Sequence, residues 1–143
     1  MTKIVYNRCY GGFGLSDKAI ERYAELKGIK LYIERRNSFS ANYWTSPPEE
    51  RQGIVAMEDW SSATDEQRRL TNELYENHTI EPRYISRTDP LLVQVVEELG
   101  KEADGDFAEL AIAEVEAGTR YRIDEYDGIE SVMTVEDYDW SVA

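Results

Sequence analysis

The chain has 143 residues, of which 41% are hydrophobic and 11% aromatic, the composition of a folded globular protein rather than a disordered one. This length fits a single domain that buries about two-thirds of the surface of its unfolded chain. No stretch approaches the roughly 18 consecutive apolar residues that a membrane span needs, so no membrane association is expected. The single Cys9 excludes an internal disulfide, and the lack of a Cys/His cluster excludes a zinc site of the usual kind. Together these features predict a reducing, cytoplasmic setting.

The net charge of −13 is unevenly distributed along the chain. Residues 1–40 carry eight basic and four acidic side chains (+4), residues 41–88 five and nine (−4), and residues 89–143 three and sixteen (−13). An acidic chain repels nucleic acid, because nucleic-acid binding depends on Lys and Arg contacts with phosphate. The acidity is compatible with imitation of nucleic acid or with attraction to a basic partner, but the simpler interpretation, that it keeps a small domain soluble, is favoured.

Residue patterns in the first third of the chain predict a strand, a helix and a second strand. "KIVYNR" (3–8) has the β-branched and aromatic alternation of a strand. "SDKAIERYAELKG" (16–28) has a helical apolar face, with Ser16 as N-cap and Gly28 at its end. "IKLYIERR" (29–36) places its apolar residues on one side, as a strand with one buried face does.

Residues 37–62 have the mixed polar, aromatic and Pro-Pro content of a long loop, with a short extended piece at 41–45. Within this span, "GIVAMEDW" (53–60) fits a strand or a helix equally well, because short apolar runs do not separate the two. A loop of this length in a compact domain is either functional or an incorrect assignment.

The remaining elements end in a β-rich region. They are a helix over 64–78 with a Thr64/Gln67 capping box, a short strand at 82–86, and a helix over 89–100 with Asp89 as cap and Leu92, Val95, Val96 and Leu99 buried. Strands follow at 107–118, 119–126 and 128–135, with an Asp127-Gly128 hairpin turn between the last two. The acidic end, 136–143, is predicted as a loose tail, with docking through Trp140 as the alternative. The whole chain, 1–143, is therefore predicted as a single α+β domain, with a mixed or antiparallel sheet and about three helices packed on one face.

A glycine-rich stretch, "RCYGGFGLS", connects the first strand to the first helix. Such a turn exposes backbone N–H groups beside a helix N-terminus, and both favour an anion such as a nucleotide phosphate. The spacing of the glycines matches neither the dinucleotide fingerprint nor the P-loop, and Asp17 places a negative charge where the anion would bind. The alternative is therefore a tight turn whose glycines allow a positive φ or close packing. The candidate ligand-binding residues are Arg8, Cys9, Tyr10, Gly11, Gly12, Phe13, Gly14 and Lys18.

Two sets of candidate catalytic residues have little support from this sequence. Cys9 needs a base to act as a nucleophile, and the only histidine, His78, is far away along the chain. The carboxylates of Asp124, Asp127 and Glu130 suit a hard cation in a metal-assisted hydrolase, although a solvated hairpin tip is the favoured interpretation. No catalytic residue, cofactor or metal is therefore predicted, and a binding protein is favoured over an enzyme.

Aromatic and acidic residues supply the candidate partner-binding positions. "FSANYWTS" (39–46) contains Tyr43 and Trp44, which form either a recognition loop or part of the core. The acidic hairpin "IDEYDGIE" offers charge for a basic partner. The predicted partner-binding residues are Tyr43, Trp44, Asp124, Glu125, Asp127 and Glu130.

Two stretches, "VYNRCYGGFGLSDKAIERYAEL" and "RTDPLLVQVVEELG…IDEYDGIESV", together resemble a family of small, largely uncharacterised proteins encoded by bacteriophages and prophages. The resemblance covers both ends of the chain and leaves out residues 37–80. It implies a phage accessory protein in the bacterial cytoplasm that antagonises a host defence factor by binding it. The expected partner is a host bacterial protein rather than nucleic acid or a membrane, with a nucleotide-like ligand at the glycine-rich turn as the alternative, and the oligomeric state is left open.

Overall fold

A computed structural model of the protein describes residues 1–38 and 40–135. The predicted α+β class is confirmed, with α-helices and antiparallel strands along the described chain. The strands are β1 (Thr2–Asn7), β2 (Tyr32–Asn37), β3 (Ser40–Trp44), β4 (Leu110–Val115), β5 (Tyr121–Tyr126) and β6 (Ile129–Thr134). The α-helices are α1 (Asp17–Leu26), α2 (Asp65–His78) and α3 (Pro90–Leu99).

The strands form three antiparallel pairs, β1 with β4, β2 with β3, and β5 with β6. The alternative of a mixed sheet is therefore wrong for the described strands. The contacts divide the chain into two compact units. Unit 1 consists of Met1–Lys27 and the chain from Pro82 onward, and unit 2 is Gly28–Glu81. The single domain over 1–143 stays a prediction.

Unit 1 buries an apolar core between α1, α3 and β1. The local signals that predicted its helices are confirmed: the Ser16 hydroxyl accepts a hydrogen bond from Ala19 N–H at 3.1 Å, and the Asp89 carboxylate accepts one from Leu91 N–H at 2.9 Å. α1 packs against α3, and α3 packs against β1. The buried apolar residues of unit 1 are Ile4, Val5, Leu15, Ala19, Ile20, Tyr23, Ala24, Leu92, Val93, Val95, Val96 and Ala103.

The β5–β6 hairpin confirms its predicted turn. Asp127 has φ of 50° and Gly128 has φ of 90°, so both central residues adopt the left-handed conformation that a two-residue hairpin with right-handed strand twist requires. In unit 2, α2 begins with the predicted capping box, in which Gln67 N–H donates to the Thr64 hydroxyl and the Gln67 side chain accepts from Thr64 N–H.

Three element predictions need correction. The predicted strand at 82–86 is a 3₁₀ helix over Pro82–Tyr84, because proline lacks an N–H group and suits the first position of a helix. "GIVAMEDW" is neither a strand nor an α-helix, since its second half lies in a 3₁₀ helix over Met57–Ser62. Within the span 37–62, the extended piece predicted at 41–45 is confirmed as part of β3, but the rest is more ordered than a loop, since it contains a further 3₁₀ helix over Pro48–Glu50.

The predicted acidic tail at 136–143, including Trp140, lies outside the described residues. Within the described ranges, no helix combines the length and apolar character that crossing a membrane requires.

Candidate functional site

The glycine-rich turn between β1 and α1 packs tightly against two other segments of unit 1. A Cβ added to Gly11 would lie 1.7 Å from the Phe107 carbonyl oxygen, and one added to Gly128 would lie 2.2 Å from the Tyr10 carbonyl oxygen. Gly12 has φ of +91°. Close approach to neighbouring backbone therefore explains Gly11 and Gly128, and a positive φ explains Gly12, as predicted if the stretch is a tight turn.

Both cations predicted to hold an anion at this turn contact carboxylates instead. An Arg8 guanidinium nitrogen lies 2.7 Å from Glu109 Oε1, and the pKa of Arg8 is raised by this hydrogen bond and by the charge of Glu109. Lys18 Nζ lies 2.9 Å from Glu102 Oε2. At the N-terminus of α1, the side chain of Ser16 already caps the helix. The ligand-binding role of these residues stays a prediction that their observed contacts do not favour.

Beneath the turn, the fully buried side chain of Asn7 joins three segments. Its Nδ2 donates to the carbonyl of Cys9 at 2.7 Å and to that of Gly128 at 2.9 Å, while its Oδ1 accepts from Glu109 N–H at 2.8 Å. The Cys9 thiol donates to the Phe107 carbonyl at 3.0 Å. These bonds fix the turn, the segment before β4 and the β5–β6 hairpin in one arrangement.

Glu130 completes this buried network and is not an exposed partner-binding residue. Its side chain is 9% exposed. Its Oε1 accepts from Asn7 N–H at 2.8 Å and from Arg87 Nη1 at 2.7 Å, and its Oε2 accepts from Arg87 Nη2 at 3.0 Å. The Arg87 guanidinium carbon lies 3.5 Å from the centre of the Phe13 ring. Bidentate pairing and burial therefore make Glu130 a structural anchor, which corrects its predicted role.

The two aromatic residues of unit 2 that are predicted as a recognition site, Tyr43 and Trp44, lie in different environments. Trp44 is fully buried, with its ring 4.8 Å from that of Tyr75 and 4.3 Å from the Arg51 guanidinium carbon. A side chain without exposed surface cannot contact a partner, so the partner-binding prediction for Trp44 is wrong and the core alternative holds. Tyr43 is half-buried in β3, and its role stays a prediction.

The acidic hairpin does not bring its carboxylates together as a metal site. Asp124 Oδ1 lies 2.7 Å from Arg122 Nε, while Glu130 faces Arg87. Glu125 and Asp127 are exposed, and Glu125 Oε1 accepts a hydrogen bond from Gly128 N–H. In the part of the chain that the structure describes, no group of three or more His, Cys, Asp or Glu side chains is placed to hold a metal ion. The carboxylate set of a metal-assisted hydrolase is therefore not assembled here.

The three segments that the buried network joins present exposed aromatic and acidic side chains. Tyr10 is 67% exposed and Tyr126 is 77% exposed. Segments 8–12, 106–109 and 125–128 contain four exposed acidic residues and one exposed basic residue, Arg8. We call this region the acidic tyrosine surface; it consists of Tyr10, Tyr126, Asp106, Glu109, Glu125 and Asp127.

Sequence patterns missed Tyr126, Asp106 and Glu109 as members of this surface. Tyr126 carries a usable signal, because it directly precedes the Asp127-Gly128 turn and so lies at an exposed hairpin tip. Asp106 has no such signal, since its segment meets the glycine-rich turn only through the close approach of Gly11 to the adjacent Phe107.

Comparisons of this chain with protein-family models, with curated proteins and with solved structures each find no match. The resemblance to phage and prophage proteins accordingly stays a prediction.

Proposed function

We propose that this protein is a binding protein that docks onto a basic patch of a partner protein through its acidic tyrosine surface. The observation that carries the proposal is the exposure of Tyr10 and Tyr126 among four exposed carboxylates on segments that the buried Asn7–Glu130 network holds together. Catalysis is not part of the proposal.

The chemistry of this surface suits a partner rich in Arg and Lys. Tyrosine contributes large contact area at low entropic cost and is frequent among residues that dominate binding energy. Its ring also attracts cations, and neighbouring carboxylates accept charge-assisted hydrogen bonds from guanidinium groups. Because hydrogen bonds to buried Asn7 and Glu130 fix the backbone beneath, little ordering free energy is lost on docking.

The resemblance to phage and prophage proteins supports a host bacterial factor, such as a defence component, as the partner. The alternative of a nucleotide-like ligand at the glycine-rich turn has less support, because Glu109 and Glu102 already occupy the cations Arg8 and Lys18.

Affinity capture from bacterial lysate tests the aromatic part of the proposal. The double variant Tyr10→Ala/Tyr126→Ala is expected to retain less than about a tenth of the partner that the wild type captures, because two central aromatic contacts are lost. Tyr84→Ala is the matched control, since Tyr84 is 78% exposed in unit 1 but lies outside the surface. Equal losses in the control, or undiminished capture by the double variant, would contradict the proposal.

Charge is tested separately with Asp127→Asn. Asparagine adopts the left-handed conformation at least as readily as aspartate, so this change removes one charge and keeps the hairpin turn. Binding is expected to weaken severalfold at low salt, with the difference from wild type shrinking as salt screens the interaction. Wild-type binding that is insensitive to salt between about 50 and 300 mM would exclude an electrostatic role for the surface.

A further inference from the structure

Unit 2 contains a groove of about 580 Å³, within the size range of small-molecule sites. Its walls come from three segments: the end of β2 and the middle of β3, the irregular stretch 55–61, and the middle of α2. The lining residues are Arg36, Asn42, Val55, Met57, Trp60, Ser61, Thr71, Asn72 and Tyr75.

Side chains of α2 hold the stretch 55–61 in place at both ends. Val55 N–H donates to the Thr71 hydroxyl at 3.0 Å. Arg68 donates from Nε to the Trp60 carbonyl at 2.9 Å and from Nη2 to the Ser61 carbonyl at 3.1 Å. Because side chains of α2 satisfy these backbone groups, the stretch forms a fixed wall of the groove rather than collapsing onto the strands.

The lining combines an apolar aromatic surface with one cation. Val55, Met57 and Trp60 supply the apolar part, and Met57 is 81% exposed at the edge of the groove. Arg36 lies at the opposite wall and donates from Nη2 to the Tyr75 hydroxyl at 2.9 Å. The guanidinium has further N–H groups beyond this bond, since it carries five donors in a planar fork.

The carboxylate of Glu34, whose pKa the charge of Arg36 helps to lower, is engaged mainly by other groups. Its Oε1 accepts from Asn42 Nδ2 at 2.8 Å and from Trp44 Nε1 at 3.3 Å, and its Oε2 lies 3.9 Å from Arg51 Nη1. These groups keep Glu34 ionised but also compensate its charge. Within the described residues, no carboxylate forms an ion pair with Arg36, and its guanidinium belongs to the groove lining.

We propose that this groove binds a small, flat aromatic molecule that carries one anionic group. The ring lies against Trp60 and Tyr75, with the flexible thioether of Met57 covering its edge. The anionic group pairs with the Arg36 guanidinium, whose fork matches the two oxygens of a carboxylate or phosphate. This site is separate from the acidic tyrosine surface and does not depend on it.

Three ligand pairs test the proposal, each consisting of an anion and its neutral counterpart: benzoate and benzamide, indole-3-acetate and indole-3-acetamide, and adenosine 5′-monophosphate and adenosine. Binding is followed by ¹H–¹⁵N NMR on the full chain. At least one anion is expected to shift the Trp60 indole and Asn72 side-chain signals, with at least tenfold weaker binding of its neutral counterpart. Failure of all three anions to shift these signals at millimolar concentration would overturn the proposal.

Two variants test whether Arg36 is the residue that recognises the charge of the ligand. Arg36→Gln is expected to remove the preference, so that the anion and its neutral counterpart bind equally weakly. Arg35→Gln removes the same charge from the adjacent position, which does not line the groove, and is expected to leave the tenfold preference intact. Equal effects of the two variants would show that general charge rather than the groove attracts the anion, and would contradict the proposal. An unchanged spectrum outside the groove confirms that each variant remains folded.

Discussion

The two units of this protein differ in how they are held together. Unit 1 buries aliphatic side chains from α1, α3 and β1 in a continuous core. In the described part of unit 2, Trp44 is the one buried hydrophobic residue, and polar and cation–π contacts surround it. Its indole N–H donates to Glu34, while Arg51 and Tyr75 contact its rings.

The difference shows how one small chain supports two kinds of surface. A packed apolar core resists deformation, so unit 1 can present the acidic tyrosine surface in one fixed arrangement. A unit built around one tryptophan leaves space unfilled, and in unit 2 that space is the groove beside Tyr75. We therefore expect substitutions in the two units to differ in how many residues lose hydrogen-exchange protection as well as in how much they lower the free energy of unfolding.

The largest effect is expected from Trp44→Ala. Removing this large buried side chain costs about 4 kcal/mol, and no other hydrophobic residue among those described in unit 2 is buried to compensate. Amide hydrogen exchange is expected to show lost protection across residues 28–81, while α1 and α3 keep theirs. Met57→Ala, at an exposed position in the same unit, serves as the control. Equal loss of protection in both units would remove the distinction drawn between them.

Glu130→Ala tests the polar anchor of unit 1. This change leaves the guanidinium of Arg87, whose side chain is only 18% exposed, without its carboxylate, at a cost of about 3 kcal/mol in the free energy of unfolding. Replacing both residues, as Arg87→Met/Glu130→Leu, is expected to cost less than Glu130→Ala alone, because no buried charge remains unpaired. Urea denaturation of the two variants measures the difference. A double variant less stable than Glu130→Ala would show that the pair is not the source of the cost.

Two substitutions in the glycine-rich turn test whether close packing or backbone conformation requires its glycines. Gly11→Ala is expected to lower stability by about 2 kcal/mol, because its Cβ would collide with the Phe107 carbonyl. Gly12→Ala has open space around it and only a positive φ to accommodate, so about 1 kcal/mol is expected. Thermal denaturation ranks the two variants. The reverse order would mean that turn conformation, rather than packing against Phe107, requires these glycines.

The smallest effect is expected from the charge of Glu34 in unit 2. Hydrogen bonds from Asn42, then Trp44, and the charges of Arg51 and Arg36 lower the pKa of this carboxyl. Because the folded pKa lies below the unfolded one, the contribution is present above the unfolded pKa and is lost as pH falls through the folded pKa.

Glu34→Gln is therefore expected to reduce stability at pH 7 by less than about 1 kcal/mol, since half of the side chain is exposed. The difference from wild type should shrink as pH falls through the lowered folded pKa of Glu34 and vanish below it, where the carboxyl is protonated in both the folded and unfolded states. Urea denaturation of both proteins at pH 7 and across the acid range measures this. A difference that persists unchanged at low pH would assign the effect to shape rather than charge.

Local sequence signals predicted much of the scaffold. The caps at Ser16 and Asp89, the Thr64/Gln67 box and the Asp127-Gly128 turn each involve residues a few positions apart, and their chemistry favours one conformation. Such signals do not depend on the rest of the fold, so they are readable from the sequence alone.

The candidate site depended on long-range contacts that the sequence does not encode locally. Glu130 has the same pattern of neighbours as an exposed hairpin carboxylate, and only its pairing with Arg87 and Asn7 buries it. Trp44 lies in an aromatic stretch that suits a recognition loop, but Arg51 and Tyr75 enclose it. The groove has no single motif, because Arg36, Trp60 and Tyr75 come from three separate segments.

The central claim, that the acidic tyrosine surface docks a partner protein, is tested most directly by site-specific photocrosslinking in bacteria. Benzoylphenylalanine replaces Tyr10 in one variant and Tyr84 in another, and mass spectrometry identifies the crosslinked products. We expect the variant at position 10 to crosslink one protein through a basic patch, with a yield that falls as salt rises in lysate. Crosslinking of the same protein with equal yield from position 84, or none from position 10, would contradict the claim.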